Sequence, residues 1–521
     1  MNGVSVNLTI PLVTCDVRRR LLAWKPMLDP RTPVLVGAAQ VSERIGDPAY
    51  QGLSPVDLAA AAAALAITDL DPRAIDTIAV VRQFETSTPQ AVAPLGRSDN
   101  VPRSVAARIG ADPGRAILDV TGGQSPQRLV TELAAAIAAG ESQVALVVGA
   151  EAISTIAHLA KNPDRPDFTE HVPGSLEDRG HGLDGLIDLE LARHGLTSAT
   201  AQYALFENAR RARLRQTRDD YALAMGALFA PFTRVAARNH HAAAPTERSA
   251  EELVTVTPLN RMIADPYPRY VVAREKVNQA AAVLLMSSGK ARSLGIPEDQ
   301  WVYLQGHADI REQDILARPD LGRGPAAVLA ITDALEQAGA TPGDVAAADL
   351  YSCFPIAVSN VIDAIPLTCP LTLTGGLPFF GGPGNDYSLH AIAETVTYCR
   401  AHPGALVLVG ANGGLLSKYS VGLYATTPAP WREQSDLQSQ VDAWPKVETV
   451  SEANGEATIE TYTIRHSRDG RRTGMVVARL DDGRRFVATA DPGLLTTGEP
   501  IGTRVHARSS ATGNRVTANP D

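Results

Sequence analysis

The sequence predicts an α/β protein built from two similar halves, with an insertion in the first half and a small β-rich domain at the C-terminus. Its 521 residues exceed what one hydrophobic core usually serves, so more than one folding unit is expected. A helix followed by an apolar strand recurs about 270 residues further along, which indicates an internal duplication. After residue 430, Ala-rich helical segments give way to short alternating strands.

The duplication is clearest in one helix and the strand that follows it. Residues 126–140 have the pattern of a buried helix that ends at Gly140, and residues 144–148 form a fully apolar strand. Residues 386–400 and 405–409 repeat that order. A second match pairs helix 55–65 and strand 75–81 with helix 325–337 and strand 345–350. This rhythm predicts βαβ units and largely parallel sheets.

Domain boundaries follow from these patterns. The predicted units are an irregular extension 1–32, a first half 33–270 with an inserted loop domain at about 155–246, a second half 271–430, and an OB-like barrel or meander 431–521. The insertion is charged and contains a predicted helix at 199–215. Long insertions often bind ligands or act as lids, and a plain helical cover is an equally open interpretation.

Bulk properties limit the possible functions. The formal net charge of −9 gives no overall basic surface for nucleic acid. The cysteines are scattered, without metal-ligand or disulfide spacing, at positions 15, 353, 369 and 399. No apolar run is long enough to span a bilayer, and residues 4–13 precede rather than follow the nearby arginines, unlike a signal peptide. We expect a cytoplasmic protein with no bound metal.

Four short motifs then indicate a family. The first is TGGQSPQRL (121–129), which is followed in the chain by AIAAG and VGAEAIS. The other three are YSCFP (351–355), GGLPFFGGPG (375–384) and GANGG (410–414). Their order and spacing resemble the thiolase superfamily over residues 33–430, in particular acetyl-CoA acetyltransferases and lipid-transfer-protein thiolases that carry an additional C-terminal domain. The resemblance implies a layered αβαβα fold, acyl transfer in lipid or fatty-acid metabolism, CoA or acyl-CoA as ligand, and dimers paired through their sheets.

The expected catalytic side chains are missing from these motifs. By the resemblance, the nucleophilic cysteine falls on Gly123, the oxyanion-binding Asn or His on Tyr351, the activating histidine on Gly382 and the second cysteine on Gly410. Ordinary thiolysis or condensation is therefore not expected, and whether any reaction is catalysed stays open. Backbone amides near Gly123 and Asn412 are expected to keep an oxyanion-binding site.

Three other side chains are candidates for a rearranged site. Ser125 offers a hydroxyl, although its place before a proline also fits a helix N-cap. Cys353 fits a buried structural thiol, and His390 fits either a base or a capped histidine. Arg210 and Arg211 lie in the insertion, which holds CoA in the family, but they equally fit a solvated helix face.

Two functions of different classes remain. The first is a thiolase-like protein that binds CoA or acyl-CoA without the standard catalytic residues. The alternative is a non-catalytic scaffold that recruits a partner enzyme through residues 431–521. Nucleic-acid binding by the barrel is less favoured, because its nine arginines between Arg465 and Arg508 are accompanied by few aromatic side chains, mainly Tyr462 and Phe486.

Overall fold

A computed structural model describes residues 28–68, 70–185 and 188–519. Most of the predicted N-terminal extension, including Cys15, lies outside the described residues. Within them, two sheets with flanking helices form an α/β core and a barrel follows it, which confirms the predicted fold class. In these ranges, no helix is both long and apolar enough to cross a membrane.

The elements alternate along the chain much as the sequence predicts. The strands of the core are β1 (Pro33–Ser42), β2 (Thr77–Val80), β3 (Arg115–Leu118), β4 (Val144–Ala152), β5 (Glu177–Asp178), β6 (Met262–Ala264), β7 (Tyr267–Pro268), β8 (Asn278–Ser287), β9 (Tyr303–Arg311), β10 (Val345–Leu350), β11 (Leu406–Gly413) and β12 (Lys418–Ala425). The helices are α1 (Pro55–Ala66), α2 (Val101–Ile109), α3 (Ser125–Ala139), α4 (Ile153–Leu159), α5 (Leu189–Arg193), α6 (Ala199–Arg213), α7 (Arg218–Ala236), α8 (Ala250–Val254), α9 (Ser288–Ser293), α10 (Pro325–Ala338), α11 (Pro355–Ile362), α12 (Tyr387–Ala401), α13 (Leu437–Asp442) and α14 (Pro492–Thr496). The barrel strands are β13 (Gly455–His466), β14 (Arg472–Leu480), β15 (Arg485–Ala490), β16 (Arg504–Ser510) and β17 (Gly513–Ala518).

Both sheets of the core are mixed, so the prediction of largely parallel sheets is wrong. The first sheet has the order β1-β8-β4-β2-β3-β5, and the second has the order β10-β11-β12-β9. Strand β8 runs antiparallel to β1 and β4, and β12 runs antiparallel to β11 and β9. The four residues 414–417 join β11 to β12, and this link is too short for the crossover that a parallel pair requires.

Helices α3 and α12 form the layer between the two sheets. Leu129 and Ile137 of α3 and Leu389 and Ile392 of α12 are fully buried in one apolar cluster shared with both sheets. The alanines of α3 let the helix approach sheet residues on more than one side. Gly140 ends α3 with a left-handed φ of 81°, as the sequence predicts.

The outer edge of β3 is covered by the chain itself. Strand β5 pairs with β3, and Arg115 of β3 binds Glu177 at 2.8 Å. Asn100 donates hydrogen bonds to the carbonyls of Val172 and Gly174 in the segment before β5. On this edge of the first sheet, Ile117 and Leu118 therefore have strand partners within the same chain.

The C-terminal strands close into a five-stranded barrel. Strand β13 pairs with β14 and β16, and β15 and β17 complete the ring. Ile459, Tyr462, Phe486 and Val505 fill its core. The four strands predicted from the sequence are present, and β17 was missed because its six residues carry a weak alternating pattern.

The barrel is packed against the insertion rather than held by a flexible linker. The Thr461 hydroxyl donates to the carbonyl of Leu205 in α6, and the Arg211 guanidinium binds Glu499 at 2.6 and 2.9 Å. Arg485, fully buried, donates to carbonyls of the segment that precedes α10. Residues of β14 and β15 join the largest apolar cluster of the core. The barrel and the core thus share one interior.

Candidate functional site

The motif loops of the two halves meet at the N-terminus of α3. The Gly122 amide donates to Asn385 Oδ1 at 3.1 Å, and the Ser388 hydroxyl donates to the Gly123 carbonyl. The Tyr351 amide donates to the Gly410 carbonyl at 2.9 Å. The first two bonds join the turn that precedes α3 to the start of α12. The third joins the second motif to the fourth.

Tyr351 fills the space beside Gly123. A Cβ atom added at Gly123 would lie 2.3 Å from the Tyr351 hydroxyl, 2.5 Å from its Cζ and 2.6 Å from the Asn412 carbonyl oxygen. All three distances are far below van der Waals contact. The phenol therefore occupies the place into which a side chain at position 123 would project. The residue types at positions 123 and 351 are thus sterically coupled.

A second tyrosine does the same at Gly410. A Cβ atom there would lie 2.3 Å from the Tyr419 hydroxyl and 3.1 Å from Leu350 Cδ2. Burial raises the pKa of Tyr419, and likewise that of Tyr351, above the usual range of a phenol, so both hydroxyls stay protonated. Sequence reasoning missed Tyr419, whose place is set by its pairing with Asn412 across the β11–β12 hairpin.

Gly382, onto which the thiolase resemblance places the activating histidine, has more open surroundings than Gly123 and Gly410. A Cβ atom there would contact Leu377 Cδ2 at 3.4 Å and Ala273 Cβ at 3.5 Å, which are ordinary packing distances. No other side chain of the described residues has taken this space. The first atom of a side chain would be tolerated here, in contrast to positions 123 and 410.

Cys353 is a buried, protonated thiol. Burial raises its pKa to about 12, and the Asn412 side-chain amide lies 4.0 Å from its Sγ atom. That amide also donates to the Tyr203 hydroxyl at 2.9 Å. The Asn412 side-chain oxygen is buried and has no hydrogen-bond partner among the described residues. This environment favours the structural interpretation of Cys353 over a nucleophilic one.

Ser125 is the first residue of α3 and not its N-cap, which corrects the sequence prediction. Gln124 is the capping residue and already has near-helical dihedral angles, so the helix begins one position earlier than expected. The Ser125 hydroxyl donates to the buried carboxylate of Asp119, which also pairs with Arg128. The hydroxyl is therefore bound to a carboxylate held by an arginine, without a histidine to activate it.

His390 belongs to α12, and its ring faces β1. Its Nδ1 atom is 2.7 Å from Gln40 Oε1, and its Nε2 atom is 3.5 Å from Asp386 Oδ2. Burial holds the pKa of His390 well below its usual range, with a further contribution from His241. Its ring nitrogens thus face Gln40 and Asp386, and the side chain does not line the cleft described next.

A cleft of about 580 Å³ opens beside these loops. Six cationic side chains line it, and we call this surface the basic cleft: Arg248, Arg261, Arg269, Arg274, Lys276 and Arg468. Glu275 is the acidic residue in its lining. Within the part of the chain that the structure describes, none of the six forms an ion pair. The Arg274 Nε atom is buried and unpartnered, and burial lowers the pKa of Arg274, with Arg269 and Arg248 adding to the effect.

One wall of the basic cleft is hydrogen-bonded to the motif loops. The Ala273 amide donates to the Cys353 carbonyl at 3.1 Å, and the Arg274 amide donates to the Leu377 carbonyl at 3.1 Å. The Gly382 amide donates in turn to the Arg274 carbonyl at 2.9 Å. Pro378 of the third motif belongs to the lining itself. The cleft therefore borders the second and third motifs directly.

The structure gives Arg210 and Arg211 other partners. Arg210 binds Asp363 at 2.7 and 2.9 Å and donates to the Tyr221 hydroxyl. Arg211 binds Glu499 of the barrel, as described above. Neither lines the basic cleft. The cationic cluster was missed in the sequence because its members are single residues spread from 248 to 276, with the last at 468.

Comparison with known proteins identifies the family. The crystal structure of a monomeric SCP2-thiolase-like protein type 1 from Mycobacterium smegmatis is 48% identical, covers 95% of this chain and 100% of its own, and superposes with a TM-score of 0.82. The chain belongs to this family of thiolase-like proteins. The family model of the thiolase-like protein type 1 additional C-terminal domain matches residues 436–521.

More distant structures share the fold of this thiolase-like protein. The dimeric peroxisomal thiolase of Saccharomyces cerevisiae is 14% identical with a TM-score of 0.56, covering 76% of this chain and 98% of its own. An acetyl-CoA acetyltransferase from Syntrophomonas wolfei is 17% identical with a TM-score of 0.55, covering 76% and 99%. A search of the curated proteins found no match.

Proposed function

We propose that this thiolase-like protein binds CoA or an acyl-CoA in the basic cleft and does not carry out standard thiolase chemistry. The observation that carries the proposal is the excess of positive charge in that cleft, six cations against one carboxylate, without an ion pair among the described residues. Unbalanced arginines around a cavity are suited to phosphate groups, which they bind in bidentate geometry. We further propose a role in lipid or fatty-acid metabolism.

The lining of the cleft offers different contacts to the different chemical groups of CoA. Arg248 lies over the Tyr270 ring at 4.2 Å and offers a flat surface on which an adenine could stack. Pro378 and Phe379 line the side next to the motif loops and suit an apolar acyl or pantetheine segment. The lining thus combines cationic, aromatic and apolar side chains that suit the phosphates, the adenine and the pantetheine arm of CoA.

Two observations support the absence of thiolase chemistry. The positions of both expected cysteines are occupied by phenols of other residues, and the histidine position holds only Gly382. A protonated Cys353 with a pKa of about 12 offers no thiolate at neutral pH.

The test is titration of the purified protein with CoA by calorimetry at low salt. We expect measurable binding and a Kd weakened about tenfold or more by Arg274→Ala, because a charge-assisted hydrogen bond contributes roughly 1.5–3 kcal/mol. Arg238→Ala removes the same charge from an exposed site of the insertion that is not part of the lining, and serves as the control. Absence of binding at millimolar CoA, or equal weakening by both variants, would contradict the proposal.

We also propose that the protein is monomeric. The outer edge of β3 pairs with β5 at Ile117 and Leu118, and Asn100 holds the segment that leads into β5, so this part of the edge is not free to pair with a second copy. The dimer expected from the thiolase resemblance is therefore not favoured at this edge. Light scattering after gel filtration should give the mass of one chain at micromolar concentration. A mass of two chains would mean that another surface makes the dimer.

Nucleic-acid binding by the barrel and recruitment of a partner enzyme gain no specific support from the structure. Arg479 and Arg485 bind Glu460, and Arg504 binds Asp481, so the barrel has less free positive charge than its sequence suggests. The face of the barrel that lies against α6 makes its contacts within the same chain. Recruitment of a partner enzyme through residues 431–521 stays a prediction, as does a cytoplasmic location.

A further inference from the structure

We propose that the C-terminal domain takes part in ligand binding itself, because its β13–β14 hairpin supplies Arg468 to the basic cleft. This inference rests on the proposed function and adds a role for the additional domain within the same chain. Arg468 lies in the turn between β13 and β14, whereas the other five cations lie between residues 248 and 276. The barrel thereby forms one side of the site that the core begins.

Hydrogen bonds fix the hairpin against the cleft. Arg465 of β13 pairs with Ala264 of β6, and the Asp265 amide donates to the Ile464 carbonyl at 3.0 Å. His466 Nε2 lies 3.0 Å from Asp265 Oδ1. The barrel strand therefore continues the sheet of the β6–β7 hairpin, which carries cleft residues at its own ends. The place of Arg468 is set by sheet pairing and not by the length of a linker.

A second link joins the hairpin to a cleft cation. Arg261 donates one hydrogen bond to the His466 carbonyl at 3.2 Å and another to the Met262 carbonyl at 3.1 Å. This arginine forms no ion pair among the described residues, and its position depends on the barrel strand. Two of the six cations are thus held in place by the C-terminal domain, one from within it and one through contact with it.

The turn itself leaves Arg468 available to a ligand. The Gly470 amide donates to the Ser467 carbonyl at 3.2 Å, and Gly470 has a φ of 85°, which closes the turn tightly. Asp469, the acidic neighbour, accepts a hydrogen bond from the Arg471 amide at 3.0 Å. Arg468 is exposed and forms no ion pair among the described residues. Its guanidinium is therefore free to bind an anion in the cleft.

The charge of the cleft indicates what that anion is. Bringing a sixth cation beside five others is unfavourable in the empty cleft, and a ligand with several negative charges removes the repulsion. Adenosine 3′,5′-bisphosphate, the part of CoA that remains without its phosphopantetheine arm, has this chemistry. Binding of such a polyanion to residues from both domains would also strengthen the contact between the barrel and the core.

The experiment titrates adenosine 3′,5′-bisphosphate into the full-length protein by calorimetry. We expect Arg468→Ala to weaken binding about tenfold and to reduce its salt dependence, with partial recovery in Arg468→Lys. Arg472→Ala removes an equal charge from the same hairpin outside the cleft lining and should bind as the wild type does. Because Arg468 is exposed, all three variants should melt at the wild-type temperature.

The outcomes separate this inference from the proposed function. If the wild type binds the bisphosphate and Arg274→Ala weakens it, while Arg468→Ala and Arg472→Ala both match the wild type, the inference is overturned and the proposed function stands. If neither CoA nor the bisphosphate binds the wild type, the proposed function fails and the inference with it. Selective weakening by Arg468→Ala supports both.

Discussion

Replacement of Gly123 by alanine is expected to destabilise the protein by roughly 2–3 kcal/mol, although it adds a single methyl group. The new Cβ atom would lie 2.3 Å from the Tyr351 hydroxyl and 2.6 Å from the Asn412 carbonyl oxygen. The phenol is buried against Tyr387, and the carbonyl belongs to the paired strand β11, so neither can move freely. The free energy of unfolding, measured in urea, tests this expectation.

The chain offers a matched control for that substitution. Gly382→Ala adds the same methyl group at another motif position, where the new atom meets its neighbours at 3.4 Å or more, and its cost should stay below about 1 kcal/mol. In a Tyr351→Ala background, Gly123→Ala should cost less than in the wild type, because the phenol is absent. Equal destabilisation by Gly123→Ala and Gly382→Ala would show that the space beside Gly123 is not filled.

The two tyrosines beside Gly123 and Gly410 limit which residues can stand at these positions. A cysteine restored at position 123 alone would enter space that Tyr351 already occupies, and one restored at 410 would meet Tyr419. A side chain at either position would thus require the neighbouring tyrosine to move. The basic cleft is lined by neither Tyr351 nor Tyr419, so the packing at positions 123 and 410 does not fill it.

The sequence alone predicted the features that depend on local pattern. Helix α3 and strand β4 were placed to within a few residues, because their apolar periodicity and Gly140 are local properties. The four motifs were likewise recognised from local runs of residues. What the sequence could not give is the phenol beside Gly123, since this contact joins the two halves of the chain and depends on how their side chains pack.

The residues of the candidate ligand site could not be predicted from the sequence for the same reason, because tertiary contacts bring them together. Arg210 and Arg211 stand in a conspicuous basic run, yet their partners Asp363 and Glu499 come from distant parts of the sequence and neutralise them. The cations of the basic cleft, by contrast, are isolated along the chain, and the pairing of the barrel hairpin with β6 brings the last of them, Arg468, beside the other five. Charge clusters formed by tertiary contacts leave no local pattern to detect.

Glu151 of β4 makes the stability depend on pH. Its side chain is 2% exposed, and its Oε1 atom accepts a hydrogen bond from the Phe84 amide at 2.6 Å. Burial raises the pKa of Glu151 to about 8, with a smaller contribution from Glu85. Asp386, which packs against Gly149 on the same strand, has its pKa raised in the same way and through the proximity of Glu151.

The sign of the effect follows from the two states. The unfolded chain loses the proton of this carboxyl near pH 4.5, whereas the folded protein keeps it up to about pH 8. The folded state therefore binds more protons in this interval, and its stability falls as the pH rises from 4.5 to 8. Glu151→Gln keeps a neutral hydrogen-bond acceptor for the Phe84 amide and removes the titration.

We expect Glu151→Gln to be more stable than the wild type by roughly 2–5 kcal/mol at pH 8 and nearly equal to it at pH 5, since each pKa unit corresponds to about 1.4 kcal/mol. Free energies of unfolding in urea at the two pH values measure the difference. Glu141→Gln, at an exposed position just before β4, should show no such dependence. Parallel profiles for the wild type and Glu151→Gln would mean that the folded protein holds Glu151 ionised, and that a cation or water then compensates its charge beside the motif loops.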